Sequence, residues 1–91
     1  MKSPLEKIIF QKKGTPGIIG FDSGLMLYKE KELMEWLCIK YKKRFEIYLL
    51  LDDLEEPPYR NHLTSGVGRT LENARYAAVR NMEKLMFDKV H

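Results

Sequence analysis

The alternation of residues from Arg44 to Asp52 is the feature that most constrains the fold of this chain. Every second position on one face is apolar, at Phe45, Ile47, Leu49 and Leu51. A two-residue period is typical of a β-strand, because successive side chains of a strand point to opposite faces. The segment therefore predicts one strand of a sheet against which the rest of the chain packs.

A helical spacing precedes this strand. From Lys29 to Lys42, the apolar residues Leu33, Trp36, Leu37 and Tyr41 are placed as on one face of a helix. Glutamates come early in the segment and lysines come late, which is the order that the helix dipole favours. The pattern predicts a helix over this range.

A second helix is predicted at the end of the chain, from Leu71 to Lys89. Thr70 precedes it and is a residue type that commonly caps a helix N-terminus. The apolar positions that follow at helical spacing are Leu71, Ala74, Ala78, Met82 and Leu85. Because Ala74, Ala77 and Ala78 are small, this helix can lie close to a sheet.

The other segments are shorter and are separated by glycine and proline. Pro4 to Lys13 fits a helix or a strand, and a helix is favoured. Gly17 to Tyr28 is interpreted as a hairpin that turns at Asp22-Ser23-Gly24, because a three-residue loop ending in glycine is common in hairpins. Tyr59 to Ser65 predicts a short edge strand, and Gly66-Val67-Gly68 predicts a turn.

These elements predict a single α+β domain over residues 1–91. Its expected architecture is a small antiparallel sheet of three to four strands with two helices packed on one face. Cys38 is the only cysteine, so no disulfide can form within the chain, and a reducing, cytoplasmic location is expected. No apolar run is long enough to predict a membrane span.

Catalytic machinery is not evident in the sequence, and neither an enzyme nor a cofactor is predicted. Cys38 and His62 lack the third group that a nucleophilic site needs, and His91 is far from His62. The acidic segment Asp52 to Glu56 has the carboxylates for Mg²⁺, but a solvated turn is the preferred interpretation. Gly66-Val67-Gly68 is too short for a dinucleotide-binding fingerprint.

Basic residues are the strongest functional signal, since 16 lysines and arginines exceed 13 acidic residues for a net charge of +3. One stripe on the last helix consists of Arg69, Asn73, Tyr76, Arg80 and Lys84. A second cluster consists of Lys40, Lys42, Lys43 and Arg44. Either group has the chemistry to follow a phosphate backbone, and either is also compatible with an ordinary solvated surface or a helix C-terminus.

The segment Ser65-Gly66-Val67-Gly68-Arg69-Thr70, with Ala74 and Ala78 after it, resembles the C-terminal half of double-stranded RNA-binding domains. In that family a strand, a Gly-x-Gly turn and an alanine-rich helix follow in this order, which implies an RNA-binding role. The family's phosphate-binding lysines correspond to Leu71 and Glu72 here, and only Arg75 matches a basic position.

The same region is similar to the end of HicB-type antitoxins, through Gly68-Arg69-Thr70-Leu71-Glu72 and Ala74. That resemblance implies a small protein that acts by docking on a partner protein.

Two functional hypotheses follow. The first is a non-enzymatic nucleic-acid-binding module, possibly for double-stranded RNA. Its candidate binding residues are Arg69, Arg75, Tyr76, Arg80, Lys84, Lys40, Lys42 and Lys43. The second is a small protein-binding regulator of the inhibitor or antitoxin type. A homodimer through the edge strand Tyr59 to Ser65 is compatible with this hypothesis.

Overall fold

A computed structural model describes residues 4–30, 32–53 and 60–90 of the chain. The elements in chain order are α1 (Pro4–Lys12), β1 (Ile18–Tyr28), β2 (Glu32–Tyr41), β3 (Phe45–Asp53), β4 (Arg60–Gly68) and α2 (Leu71–Val90). The four strands form one antiparallel sheet in the order β1-β2-β3-β4, so β1 and β4 are its edges. The predicted α+β class, with a small antiparallel sheet and two helices, is confirmed.

Several individual predictions are also confirmed. The favoured helix at the start of the chain is α1, and the alternating segment is β3, with Ile47, Leu49 and Leu51 buried on one face. The polar segment before the glycines is the edge strand β4, although it runs on through Gly68. Gly66 and Gly68 are therefore strand residues and not a turn. The last helix begins after Thr70 as expected, because the Asn73 backbone N–H donates to Thr70 Oγ1 at 3.1 Å.

The predicted helix from Lys29 to Lys42 is wrong, because Glu32–Tyr41 within this segment form strand β2. Its apolar residues are buried on both faces of the sheet, with Met34 and Cys38 on one side and Leu37 and Ile39 on the other. A strand covered on both faces needs apolar residues at consecutive positions and loses its two-residue period. The remaining pattern then coincides with helical spacing.

The predicted hairpin at Asp22-Ser23-Gly24 is also wrong. These three residues lie in the middle of β1 and pair with Cys38, Leu37 and Trp36 of β2. The chain instead turns after Tyr28, where Lys29 and Glu30 have φ values of 52° and 64°. Non-glycine residues seldom adopt this left-handed conformation, so the sequence carries no glycine signal for the turn.

The two helices lie on opposite faces of the sheet rather than on one. Ala74, Ala78 and Met82 of α2 pack with Met34, Leu49 and Leu51. Leu5 of α1 packs with Leu37, Ile39 and Leu50, whose side chains point the other way. The difference from the expected arrangement follows from β2, because a strand that is apolar on both faces needs a cover on each. No helix among the described residues has the length and apolar content to cross a bilayer.

The position of α2 depends on two glycines in β4. A Cβ atom on Gly66 would lie 2.7 Å from the carbonyl oxygen of Ala74, and one on Gly68 would lie 2.5 Å from the backbone nitrogen of Ala74. Only bare backbone in the strand permits this approach of the helix. As a result α2 packs over β4 and β3, and the parts of β1 and β2 on the same sheet face extend beyond it.

Candidate nucleic-acid interface

A groove of about 580 Å³ lies between α2 and the uncovered part of the sheet. Its floor includes Met26, Trp36 and Cys38, and its helical wall consists of Leu71, Arg75 and Val79. Phe45 adds a second aromatic ring, and both Trp36 and Phe45 are half-buried. The groove is therefore a mainly apolar slot with aromatic surface accessible from outside.

The indole of Trp36 has a defined support in this groove. Trp36 pairs with Gly24 across the β1–β2 ladder, and a Cβ atom on Gly24 would lie 2.8–2.9 Å from the Cζ2, Cε2 and Nε1 atoms of the ring. The indole thus occupies the space that a side chain on Gly24 would fill. Glycine at this position in a strand commonly marks such a close approach.

Charged side chains lie around the apolar slot. Lys40 and Arg75 line it from the sheet and from the helix, and both are exposed. The Nζ atom of Lys40 is 5.8 Å from the centroid of the Phe45 ring. Asp22 is the one carboxylate among the lining residues. An apolar, aromatic floor with two cations and one acceptor suits a planar ligand that carries a negative group.

The groove opens beside a concentration of basic residues at one end of the sheet. Lys40 pairs with Phe45 and Phe45 pairs with Gly68, so the β2–β3 hairpin and the start of α2 are neighbours. A hydrogen bond of 3.2 Å from the Lys42 backbone N–H to the Gly17 carbonyl brings the segment after α1 to the same place. We call this the basic end; its residues are Lys12, Lys13, Lys40, Lys42, Lys43, Arg44, Arg69 and Arg75.

The potential of the basic end comes from exposed cations and from the N-terminus of α2. All of its residues except Lys12 are exposed, and the helix N-terminus contributes a positive partial charge. Glu72 in the first turn of α2 opposes this field. The acidic residues Glu30, Glu32, Asp52 and Asp53 belong to the opposite end of the sheet, as the strand register shows.

A buried carboxylate ties α1 to the basic end. Glu46 of β3 accepts hydrogen bonds from the hydroxyl groups of Tyr48 and Tyr41, the latter at 3.4 Å, and its Oε1 atom is 3.7 Å from Lys12 Nζ. Burial, followed by the hydrogen bond to Glu46, raises the pKa of the Tyr48 hydroxyl well above its ordinary value. This network anchors the C-terminal turn of α1, which carries Lys12 and Lys13.

The structure divides the candidate binding residues differently from the two groups that the sequence analysis names. Arg69, Arg75, Lys40, Lys42 and Lys43 lie at the basic end. Tyr76, Arg80 and Lys84 project from the outer side of α2, where the Arg80 guanidinium is 5.8 Å from the centroid of the Tyr76 ring. Five residues separate Arg75 from Arg80, which is a rotation of about 140° around a helix. The predicted residues therefore lie on two surfaces, and Arg69 belongs with the hairpin lysines rather than with Tyr76, Arg80 and Lys84.

Sequence reasoning missed Trp36, Phe45 and the lysines of α1 as members of this site. The sequence pattern places Trp36 on the apolar face of a helix, whereas it lies in strand β2, and its pairing with Gly24 becomes visible only once the register of β1 and β2 is known. Lys12 and Lys13 carry no local signal of their own, since α1 and the hairpin are far apart along the chain.

Cys38 and the acidic segment from Asp52 are the other candidates for chemistry in the sequence. Cys38 lines the groove, and burial first and Asp22 second raise the pKa of its thiol, so it is protonated at neutral pH and acts as an apolar surface. Within the predicted acidic loop, Asp52 and Asp53 belong to β3, and residues 54–56 lie outside the described part. The described residues hold no group of three or more potential metal ligands.

No family model matches this sequence, and no curated protein or solved structure shows significant similarity to it. The functional argument therefore depends on the site itself.

Proposed function

We propose that this domain binds nucleic acid and that the basic end contacts the phosphate backbone. The observation that carries the proposal is the gathering of eight basic residues from α1, the β2–β3 hairpin and the start of α2 at one end of the sheet. Lysines and arginines that neutralise phosphates release condensed counterions, and this release drives binding. Binding through four phosphate contacts would give a slope of log K against log salt of about −4 for a duplex.

Double-stranded RNA is the form that the resemblance in residues 65–85 favours. In that resemblance the start of the last helix faces the phosphates, and Arg69 and Arg75 lie at the corresponding end of α2. The lysines that Leu71 and Glu72 replace have a substitute in Lys42 and Lys43, which the hairpin brings to the same end of the sheet. The resemblance and the charge distribution thus support the same surface.

The test is fluorescence anisotropy with labelled double-stranded RNA, double-stranded DNA and single-stranded RNA, each at low and near-physiological salt. The decisive variant is Lys42→Glu combined with Lys43→Glu. Its matched control is Arg80→Glu combined with Lys84→Glu, which makes the same change in net charge on the outer side of α2. We expect the hairpin variant to lose affinity about tenfold or more and the control to lose much less.

Equal losses in both variants would show that only net charge matters and would remove the basic end as a site. Absence of binding to all three forms at low salt would refute nucleic-acid binding altogether.

A second candidate function, association with another protein chain, is favoured by exposed apolar residues on the α1 face of the sheet. Leu25, Leu27 and Leu33 are 61%, 58% and 58% exposed, beyond the part of the face that α1 covers. They border β1, an edge strand of eleven residues whose only charge is Asp22. Long, weakly charged edge strands readily pair with another strand.

The occupant that best fits this edge is a second copy of the chain. Antiparallel pairing of β1 with itself about Ser23 would place Phe21 opposite Leu25, and Asp22 opposite Gly24, so that the like charges do not face each other directly. The predicted dimer edge was β4 instead. There the Ser65 carbonyl already accepts a 2.6 Å hydrogen bond from Asn81 Nδ2 of α2.

Sedimentation of Leu25→Glu and Leu63→Glu separates these alternatives. Leu63 is a similarly exposed leucine on the same sheet face, at the β4 edge. A dimer that Leu25→Glu dissociates and Leu63→Glu leaves intact supports pairing through β1, and the reverse pattern supports β4. A monomer at high concentration refutes self-association and leaves docking on a different protein as the regulator hypothesis.

A further inference from the structure

We infer that the groove between α2 and strands β1 and β2 holds one unpaired base of a nucleic-acid strand whose phosphates lie at the basic end. The inference rests on the proposed function and specifies it, because it assigns to the groove a ligand that a purely electrostatic interface would not need.

The first argument is the aromatic surface. Trp36 is half-buried, is held over the bare backbone of Gly24, and presents its accessible part to the groove. An aromatic side chain fixed in this way provides a stacking platform at little cost in side-chain entropy, and bases of single strands commonly stack on such platforms. Part of Trp36 packs against the core cluster that includes Ala74, Ala78 and Met82, and the accessible remainder of the ring is the surface that the groove offers to a base.

The second argument is the size of the groove. At about 580 Å³ it lies within the range of roughly 300–1,000 Å³ that small-molecule sites occupy. It has room for a base together with part of its sugar. Its walls are a helix on one side and a sheet on the other, so a base that is still paired in a duplex cannot enter. Entry requires a single strand, a strand end or a base turned out of the stack.

The third argument is the charge around the groove. Lys40 and Arg75 lie on its lining and also belong to the basic end, so a phosphate next to the inserted base meets cations that continue toward Lys42 and Lys43. Asp22 supplies an acceptor within the same groove. A carboxylate accepts hydrogen bonds from the exocyclic amino groups of cytosine, adenine and guanine, which uracil lacks. We therefore expect cytidine oligonucleotides to bind more tightly than uridine oligonucleotides.

The test uses the fact that Trp36 is the only tryptophan of the chain, so that intrinsic fluorescence reports on the groove. Short oligocytidine RNA and a blunt RNA duplex of equal length are titrated into the protein. The single strand should change Trp36 fluorescence, whereas a duplex held only at the basic end should change it little. Labelled-oligonucleotide anisotropy should show that Trp36→Leu weakens single-strand binding about tenfold and leaves duplex binding within about twofold.

Gly24→Ala provides a second variant that keeps the indole. Its new Cβ atom must displace the Trp36 ring, whereas Gly20→Ala in the same strand meets nothing within 4 Å. Gly20 also lines the groove, so the binding control is Ser23→Ala, at an exposed position of the same strand outside the groove. Single-strand affinity should fall in Gly24→Ala and stay unchanged in Ser23→Ala, with circular dichroism showing that both variants fold.

The outcomes separate this inference from the proposed function. Single-strand binding that is lost in the hairpin variant but is unchanged in Trp36→Leu and gives no fluorescence change overturns the groove and leaves phosphate binding in place. Binding of the duplex alone likewise overturns the groove, and absence of binding to both oligonucleotides and to double-stranded DNA overturns both.

Discussion

Replacing Gly66 by alanine should destabilise the domain strongly, because α2 lies against the backbone of β4 at this point. The added Cβ atom would be 2.7 Å from the Ala74 carbonyl oxygen and 2.8 Å from the Ala77 carbonyl carbon. Ordinary van der Waals contact begins at 3.4 Å. Both atoms belong to the helix backbone, so no side-chain rotation relieves the overlap and the helix must move by more than half an ångström.

The size of the effect follows from what this movement disrupts. Ala74, Ala78 and Met82 are fully buried against the sheet, and each loses close contacts when the helix retreats. Overpacking of a core costs about 1–3 kcal/mol, and the upper end applies here because the backbone has to shift. For a domain of 91 residues, whose unfolding free energy is about 5–13 kcal/mol, a loss of about 3 kcal/mol is a large fraction.

Urea denaturation followed by far-UV circular dichroism and by Trp36 fluorescence measures this loss. With a slope of about 1.5 kcal/mol per molar urea, the midpoint should fall by about 2 M. Gly20→Ala is the matched control, since its Cβ atom has open space and should change stability by about 0.5 kcal/mol or less. If Gly66→Ala unfolded within 0.5 M of the unmodified protein, the close approach of α2 to β4 would be refuted.

Three further predictions concern single side chains. Thr70→Ala should lower the unfolding free energy by about 1 kcal/mol through loss of the α2 cap, and Thr70→Ser should restore most of it in the same urea experiment. The pKa of Tyr48 is raised above its ordinary value of 10.0, so the folded state favours the neutral phenol. The free energy of unfolding should therefore be greatest below pH 10 and fall above it. Unfolding compared below and above pH 10 should show a smaller fall in Tyr48→Phe. The Cys38 thiol, buried and with its pKa raised, should react with an alkylating reagent more than about tenfold slower in the folded protein than in urea, and a rate equal to that of the unfolded chain would contradict its placement.

The parts of the fold that sequence reasoning predicted are those in which the apolar residues of one buried face keep a regular period, even though the second face of β3 is also largely buried, at Glu46 and Leu50. β3 shows its two-residue period over Phe45 to Leu51, and α2 has both a capping residue and a buried stripe at Ala74, Ala78 and Met82. In α2 this pattern overstates the buried stripe at both ends, because Leu71 is 50% and Leu85 is 36% exposed. In each case a local rule and the tertiary packing agree.

The parts that it missed depend on long-range packing. β2 is apolar on both faces, since Leu37 and Ile39 belong to the cluster that includes Leu5 of α1 and Met34 and Cys38 to the cluster that includes residues of α2. No local pattern distinguishes such a strand from a buried helix. β1 contains Asp22-Ser23-Gly24, a sequence that is common in turns, but Gly24 lies within the strand and pairs with Trp36. It accommodates the Trp36 ring of the neighbouring strand, and that requirement appears only in the register.

Long-range packing also decides which basic residues share a surface, a question that the sequence leaves open. Arg75 and Arg80 are close in sequence and lie on different sides of α2, whereas Lys42 and Arg69 are distant in sequence and lie at one end of the sheet. Helical spacing shows only which residues share one face of a single helix. Only the register of β2, β3 and β4 brings the hairpin and the start of α2 together.

The position of the candidate site is a consequence of where the fold places its small residues. Gly66 and Gly68 let α2 approach β4 closely, and Ala74 and Ala78 on the helix match them. A helix drawn to that edge cannot also cover β1 and β2, since one helix of about 10 Å diameter spans only about two strands spaced by 4.8 Å. The uncovered strands then need side chains that tolerate water, and Lys40, Asp22 and the half-buried Trp36 meet that need. The groove beside the basic end is therefore produced by the same close packing that stabilises the core, and a substitution that moves α2 should alter both.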